Sequence, residues 1–481
     1  MSSTITIVGA GIVGSALAHF LSSSSTRRKI ILIDHSLAPI QGSTAHAPGY
    51  VGQFNESSTL TRLAIDSVTE YAKIPNGFEV LGGIEAVATQ EGISRLQTRC
   101  DLAVQRGLSA SMITPAQAVG LAPDLVRQDD IQAALYFATD GVANATVITA
   151  SYQQEARRKG VEFVEGVVGD IRYGENGEVV GVEVEEILED KEEEEEEGSD
   201  AKLVKRKVKR VIGTGTLILA TGIWTQDLCA DLDIPIPIIP VAHPYMYIKH
   251  DRSSPDDTSS PSISTPRLGS LRSPLGSSLS SSPSNTNQKS PLSPRLNNKP
   301  SPWIRYPEHQ VYARDHGLFY GVGTYDHGPA MDCEPNDHVA IGPWQDEVFN
   351  SALEKAKTLL PILATLAGGK DSPVVGGLTA MPETKFNGLF AMTPDNLPLA
   401  GRVEGRKGLF LCAAVWVTHA AGVAKFVAGL VDQVGGHEEK NEGLDETVRD
   451  LDPGRFRGRE WKELKEQSLR GYSQIYHTGD D

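Results

Sequence analysis

Two short stretches of the 481-residue chain bring together residue types able to do chemistry. In "GAGIVG", Gly9, Gly11 and Gly14 have the GxGxxG spacing, set between the apolar run "TITIV" and a helical pattern from about Ile12. The first glycine permits a tight turn, and the second lets backbone approach a pyrophosphate at the positive end of the helix. The third lets helix and strand close up. Asp34 ends the next apolar run, "KIILID", twenty residues after Gly14. An acid there accepts hydrogen bonds from a ribose hydroxyl and disfavours a 2′-phosphate, so the pattern reads as a dinucleotide site that disfavours NADP. The second stretch is "GSTAHAPGYVGQFN" (Gly42–Asn55), with Ser43, Thr44 and Ala47 around a lone His46. An imidazole in so glycine-rich a segment either packs or caps a helix, or it touches or is bonded to the bound cofactor.

The elements that must position these residues follow from periodicity. Thr4–Val8 and Lys29–His35 read as parallel strands joined by a helix, a βαβ unit with a right-handed crossover. Three helices are predicted in "TLTRLAIDSVTEYAKI", "EGISRLQTRCDLAVQRG" and "ANATVITASYQQEARRKG", and a strand pair in "FEVLGGIEAVATQ". "VVGDIRY" and "VVGVEVEEI" form an antiparallel pair across "GENG". "GTLILATGIWT" (Gly215–Thr225) repeats the strand–glycine–helix turn, so that Ala220, Thr221 and Gly222 offer a second cofactor contact of a kind common in flavoproteins with two dinucleotide-binding units. A β-rich stretch (Val241–Thr324), a helix (about Gln345–Ala367) and a last strand–loop–helix complete the pattern. Two stretches are expected to lie outside the fold: the charged run Glu189–Arg210, as a solvated hairpin tip, and Asp251–Pro302, whose Ser, Pro and Asn cannot build a core.

Composition narrows the function. The net charge of −17, from 62 acidic and 45 basic residues, offers no basic footprint for nucleic acid. The four cysteines are far apart and unpaired in sequence, which fits a reducing compartment. His309, His316, His327 and His338 are too loosely spaced for a metal motif, so no metal site is expected. No serine elbow supports a hydrolase. No apolar window is long enough for a membrane span, no presequence precedes Thr4, and the terminal "HTGDD" is no peroxisomal address, so a cytoplasmic protein is expected.

With "VGGIEAVAT", "PVAHPYMYI", "QVYARDHGLFYGVGTYDH", "FNGLFAMTPDNLPLAG" and "AVWVTHAAGVAK" in order after the His46 segment, the chain resembles the dimethylglycine and sarcosine dehydrogenase/oxidase family of D-amino-acid-oxidase-like flavoproteins. The resemblance runs from about Thr4 to Val434 outside the two insertions and continues faintly to "QIYH". It implies FAD, carried covalently on His46 through the flavin 8α-methyl group, since the segment Phe386–Met392 lacks the cysteine that other relatives use. It implies that His243 and Tyr312 face the flavin in the substrate pocket, with Arg314 and His327 as candidates for holding a substrate carboxylate. Val168, Thr221, Gly222, Trp224, Asn387, Trp416, Thr418, His419 and Gly422 are the further cofactor contacts. The helix beginning near His419 would point its positive end at the flavin's pyrimidine side. Relatives often have a second aromatic directly after the tyrosine; here Ala313 follows, which widens the pocket.

The expected fold is mixed α/β. A Rossmann-like FAD-binding domain (1–79, 143–228 and 377–437) interweaves with a β-rich substrate domain (80–142 and 229–376), followed by a tail (438–481). The expected activity is hydride transfer from a secondary or tertiary N-methyl amine to flavin N5, followed by hydrolysis to formaldehyde. Oxygen or an electron-transfer protein would be the acceptor. Oxidation of a D-amino acid or 2-hydroxy acid, and a non-catalytic FAD-binding scaffold, are the alternatives. The folate-binding domain found in many relatives is not expected.

Overall fold

A computed structural model describes residues 4–475 apart from 26–27, 192–202, 250–299, 318, 328–331, 333–338, 363–384 and 434–441. Nearly all of the Ser/Pro-rich insertion, the acidic half of the charged run and the expected boundaries at 377 and 438 therefore lie outside the described residues.

An eight-stranded sheet is built around the four-residue strand Ile5–Val8, every residue of which is buried. Its neighbours, Ile30–Asp34 and Thr216–Leu219, both run parallel to it, one on each side. The parallel set continues outward through Glu162–Tyr173 on one flank and Leu409–Ala413 on the other. A strand buried on both faces reads as an unbroken apolar run, which is why "ITIV", "IILI" and "TLIL" show no alternation. Helices Ile12–Ser23, Ala145–Arg158 and Ala420–Gln433 pack together in one shared apolar core with this sheet.

A nine-stranded sheet runs in the order Ile341–Gly342, Lys385–Met392, Ile239–Lys249, Phe319–Thr324, Val311–Asp315, Trp303–Tyr306, Gly83–Val87, Ala133–Phe137, Ala110–Ile113. Tyr50–Val51, Gly141–Ala143 and Phe78–Val80 form a small third sheet.

Two expectations are corrected. Phe78–Val80 and Gly83–Val87 are strands, but they do not pair with each other. Gly82, at φ +85°, turns the chain between them, so the first joins the small sheet and the second the large one. The basic half of the charged run is not a hairpin tip either. Leu203–Gly213 pairs with Val179–Lys191 from Gly181↔Gly213 to Lys191↔Leu203. Opposite charges face each other across that ladder, Lys207 meeting Glu185 at 2.7 Å and Arg210 meeting Glu186 at 2.6 Å, so like-charge repulsion within each strand is offset by its neighbour.

Candidate active site

A cavity of about 460 Å³ opens at the carboxyl ends of Ile5–Val8, Ile30–Asp34 and Thr216–Leu219. Ile5–Val8 is where the chain's progress through the sheet reverses, the position at which open α/β sheets bind ligands. Gly9 turns off this strand at φ +99°, and a Cβ on it would lie 2.4 Å from the Ala220 carbonyl oxygen. A Cβ on Gly14 would lie 1.8 Å from the Gly9 carbonyl oxygen, so the third glycine closes helix against strand. Gly14 itself stays off the cavity wall, whereas Gly9 and Gly11 are on it. The Ile12 amide, in the first turn of the helix, donates to Thr44 Oγ1 at 3.1 Å. Asp34 is tied to the same turn: Oδ2 accepts from the Ala10 amide at 2.6 Å and Oδ1 from the Ser36 amide at 2.9 Å.

His46 ends the short helix Ser43–His46, which Ser43 anchors by donating from Oγ to the Leu389 carbonyl at 3.0 Å. Its Nε2 is buried without a hydrogen-bond partner, while the ring's other side meets the Gln41 backbone. Burial outweighs that contact and lowers its pKa, so the imidazole is neutral at physiological pH. His46 and Ala47 both line the cavity, and the His46 ring centroid is 5.8 Å from that of Phe386.

Val168, Thr221, Gly222 and Trp224 also line the cavity, as do Trp416, Thr418 and His419. Thr418 and His419 sit in the turn Val417–His419 that leads into the helix Ala420–Gln433, so the positive end of that helix faces the cavity. His419 is buried and its pKa is pushed down to about 4 by desolvation. Two expected contacts are not on the wall. The Gly422 amide donates to Ser67 Oγ at 2.9 Å, and a Cβ there would meet the Leu63 carbonyl at 2.2 Å; this glycine lets two helices touch. Asn387 points its side-chain amide at the Pro343 carbonyl, away from the cavity.

The far arm of the cavity is aromatic and belongs to the nine-stranded sheet. His243 and Tyr312 come from strands separated by Phe319–Thr324, in which Gly323 lies opposite both Tyr245 and Tyr312. A Cβ on Gly323 would lie 2.2 Å from the Tyr312 ring, so the absent side chain lets Tyr312 lean across the sheet. Its hydroxyl reaches His243 Nε2 at 2.7 Å. His243 Nδ1 is 2.7 Å from the hydroxyl of Tyr472, and that hydroxyl is 2.6 Å from His327 Nε2. Desolvation, and next the neighbouring His327, hold the His243 pKa well below its ordinary value, while burial takes His327 down to about 4. His327 thus sits behind the cavity wall.

Arg314 is also off the wall. It follows Tyr312 by one step on the same strand face, and its guanidinium donates to the Pro48 carbonyl instead. Arg95, Arg99 and Arg305 do line the cavity, and Arg305 is directly opposite Tyr312 in the hairpin and 4.1 Å above the Tyr50 ring. It is 3.3 Å from the buried Glu85, which Arg99 also holds at 2.9 Å. The pairing was readable from "WIRYPEHQVYARD", because alternating strands around a four-residue turn put residues 305 and 312 side by side. Tyr472 had no comparable signal: it comes from the helix Trp461–Ser473 in the expected tail.

Residues 4–430 match the DAO family, described as FAD dependent oxidoreductase. The chain belongs to this family. Over 243 residues it is 24% identical to 4-methylaminobutanoate oxidase (formaldehyde-forming) of Paenarthrobacter nicotinovorans, a match covering 49% of this chain and 26% of that protein. Over 490 residues it is 21% identical to mitochondrial dimethylglycine dehydrogenase of Rattus norvegicus, covering 98% of this chain and 47% of that one. The chain thus spans about half or less of the length of these curated relatives. The solved structure of L-proline dehydrogenase from P. horikoshii shares the fold, with a TM-score of 0.68 at 18% identity over 95% of this chain and 98% of that one.

The residues present fit FAD. The glycine turn and Asp34 would cradle its diphosphate and ribose, His46, whose buried Nε2 has no partner, lines the same cavity, and a second helix N-terminus meets it. Among the described residues no helix is long and apolar enough to cross a membrane.

Proposed function

We propose that this FAD-dependent oxidoreductase oxidises a secondary or tertiary N-methyl amine bearing a carboxylate, and that His46 carries the FAD covalently. Bound FAD supplies the two-electron acceptor; the protein's residues bind, orient and hold protons. In this reading the eight-stranded sheet belongs to the FAD-binding domain and the nine-stranded sheet to the substrate domain. The observation that carries it is the buried Tyr312–His243 pair, joined at 2.7 Å on the wall of an aromatic arm of the cavity. An amine entering that arm leaves water, which favours its neutral form, and the phenol and imidazole give its proton a place to go. Aromatic rings cover N-methyl groups with apolar surface; Phe390 lies 4.5 Å from His243, ring centre to ring centre, and Tyr325 4.8 Å. Arg305, one strand away from Tyr312, places a positive charge where a carboxylate on the same substrate can meet it. The names of the two curated relatives, an oxidase that forms formaldehyde and a dimethylglycine dehydrogenase, support the same substrate class.

The test is anaerobic bleaching of the bound flavin by a panel of dimethylglycine, sarcosine, 4-methylaminobutanoate, D-amino acids and 2-hydroxy acids, with formaldehyde assayed after oxygen is admitted. Bleaching by an N-methyl amino acid with one formaldehyde per turnover is expected. Bleaching confined to D-amino or 2-hydroxy acids would overturn the substrate class while leaving the enzyme class intact.

A further inference from the structure

Among the described residues the cavity wall is drawn from the chain up to His419, with one exception: Ile475, just past the end of the helix Trp461–Ser473. Its half-buried side chain packs against the aromatic cluster that includes Tyr245, Tyr312 and Tyr325, and it lines the same cavity as those rings. Nothing in the Proposed function uses it.

The elements before Ile475 hold it in place. The Tyr472 hydroxyl sits between His243 Nδ1 at 2.7 Å and His327 Nε2 at 2.6 Å, and the Ile475 amide donates to the Tyr472 carbonyl at 3.4 Å. Asn396 donates from Nδ2 to the Gly471 carbonyl at 3.3 Å. Ahead of the helix, Arg455 grips the Asp395 carboxylate through bonds of 2.8 and 2.9 Å and also donates to the Leu397 and Pro398 carbonyls. Leu469 joins Ile475 in packing against the aromatic cluster. The rings of the arm are constrained as well: Tyr312 by His243, Tyr245 by His316 at 2.9 Å and Trp416 by the Ala391 carbonyl at 3.2 Å. A β-branched side chain has few rotamers, and a close-packed wall yields little to added volume.

We infer that Ile475 is a specificity-determining residue: its side chain closes the aromatic arm and limits the alkyl bulk a substrate carries on its amine nitrogen, so that methyl is preferred to ethyl. This deepens the amine reading above and rests on it for what occupies the arm, but the steric limit at Ile475 can be measured with ligands that are not amines.

The experiment compares full-length holoproteins: native, Ile475→Val, Ile475→Ala and Ile475→Phe. Binding of methoxyacetate and ethoxyacetate, ether analogues of N-methylglycine and N-ethylglycine, is followed by their perturbation of flavin absorbance, with flavin content measured for each variant. The native protein should prefer the methoxy ligand. One methylene in an apolar pocket is discriminated about tenfold or more, so Ile475→Ala should shift the ratio of the two affinities toward ethoxyacetate by about that factor. Ile475→Val should move the ratio the same way by less, and it carries the test where the alanine variant fails to fold. Ile475→Phe should weaken both ligands. In the anaerobic assay, the ratio of bleaching rates for dimethylglycine and N-ethyl-N-methylglycine should shift in parallel. An affinity ratio that is the same in the native, valine and alanine proteins, or no perturbation by either ether, overturns the inference. A shifted affinity ratio with a silent amine panel would instead overturn the substrate reading and leave the steric limit at Ile475 standing.

Discussion

Gly388 separates two histidines that the fold treats in opposite ways. It pairs with His243 across the sheet, and a Cβ on it would come within 3.7 Å of the His46 Cβ. His243 has both nitrogens engaged by phenols, while His46 keeps a buried Nε2 with no partner. A nitrogen held at both ends is fixed in orientation and can only pass or hold protons along its hydrogen bonds. One left unengaged beside a cavity is available for a bond or a ligand, because burying a polar atom without a partner costs about 1–3 kcal/mol that the fold alone does not recover. In the proposed reading the same side chain would serve the substrate in one place and the cofactor in the other.

The largest effect should come from breaking the engaged pair. His243→Asn and Tyr312→Phe are each expected to slow substrate-driven flavin bleaching by about 10²–10⁴-fold, the usual contribution of a positioned acid or base. Flavin content should be unchanged, since neither residue belongs to the glycine cradle. Stopped-flow reduction at saturating substrate reads the first quantity and the absorbance of the purified protein reads the second. A variant that loses flavin as well would show that the two regions are not separable.

Next in size is Arg305. A charge-assisted hydrogen bond contributes about 1.5–3 kcal/mol, so Arg305→Gln should raise the half-saturating concentration of a carboxylate-bearing amine by roughly 10–150-fold. An amine lacking the carboxylate should be little affected by the change. Arg99 still holds Glu85, which guards against an uncompensated buried charge. Equal losses for both amines would remove Arg305 from substrate binding and assign it to the Glu85 cluster alone.

His46→Ala sharpens the comparison from the other side. The native protein, denatured and precipitated, should keep a yellow chain; the variant should bind FAD while folded and release all of it on denaturation. Its bleaching rate should fall less than that of His243→Asn, because the proposed bond would tune the flavin without orienting the substrate. Release of flavin from the denatured native protein would reduce His46 to a non-covalent contact.

How far each region is legible in the sequence follows from how it is built. The nucleotide end is local: Gly9, Gly11 and Gly14 lie on one turn and Asp34 ends the adjacent strand, so contiguous spacing encodes their geometry. The substrate end depends on register between strands far apart in the chain. His243 and Tyr312 came from resemblance, not from any pattern in their neighbourhoods. The sequence points to Arg314, but proximity to Tyr312 in sequence is not proximity to the cavity, and the Pro48 carbonyl takes its guanidinium. Gly422 was assigned to the cofactor when its close approach is to the Leu63 backbone, a helix-packing demand that looks the same in sequence. Tyr472 lies 160 residues from Tyr312, and only tertiary folding brings the C-terminal helix behind the cavity.

The smallest effect concerns stability. Desolvation lowers the pKa values of His316 to about 3 and of His327 and His419 to about 4, and it holds that of His243 well below normal. Between pH 6.5 and 4 the unfolded chain binds protons at these sites that the folded chain does not, so stability present above pH 6.5 is lost as the pH falls toward 4. For His35, beside Asp34, the sign reverses. The hydrogen bond to Asp34 raises the pKa of His35, which contributes stability present below its ordinary pKa and lost as the pH rises through the raised one. Urea denaturation of the native protein and of His419→Gln between pH 4.5 and 6.5 separates these contributions. Removing one neutral-held imidazole should flatten the acid-side slope by up to about 1.4 kcal/mol per pH unit, the value for one proton. His35→Gln should leave that slope the same or steeper, because it removes a group acting in the opposite direction. If His419→Gln leaves the slope unchanged, that imidazole titrates alike in both states, and the desolvation of the helix start facing the cavity is wrong.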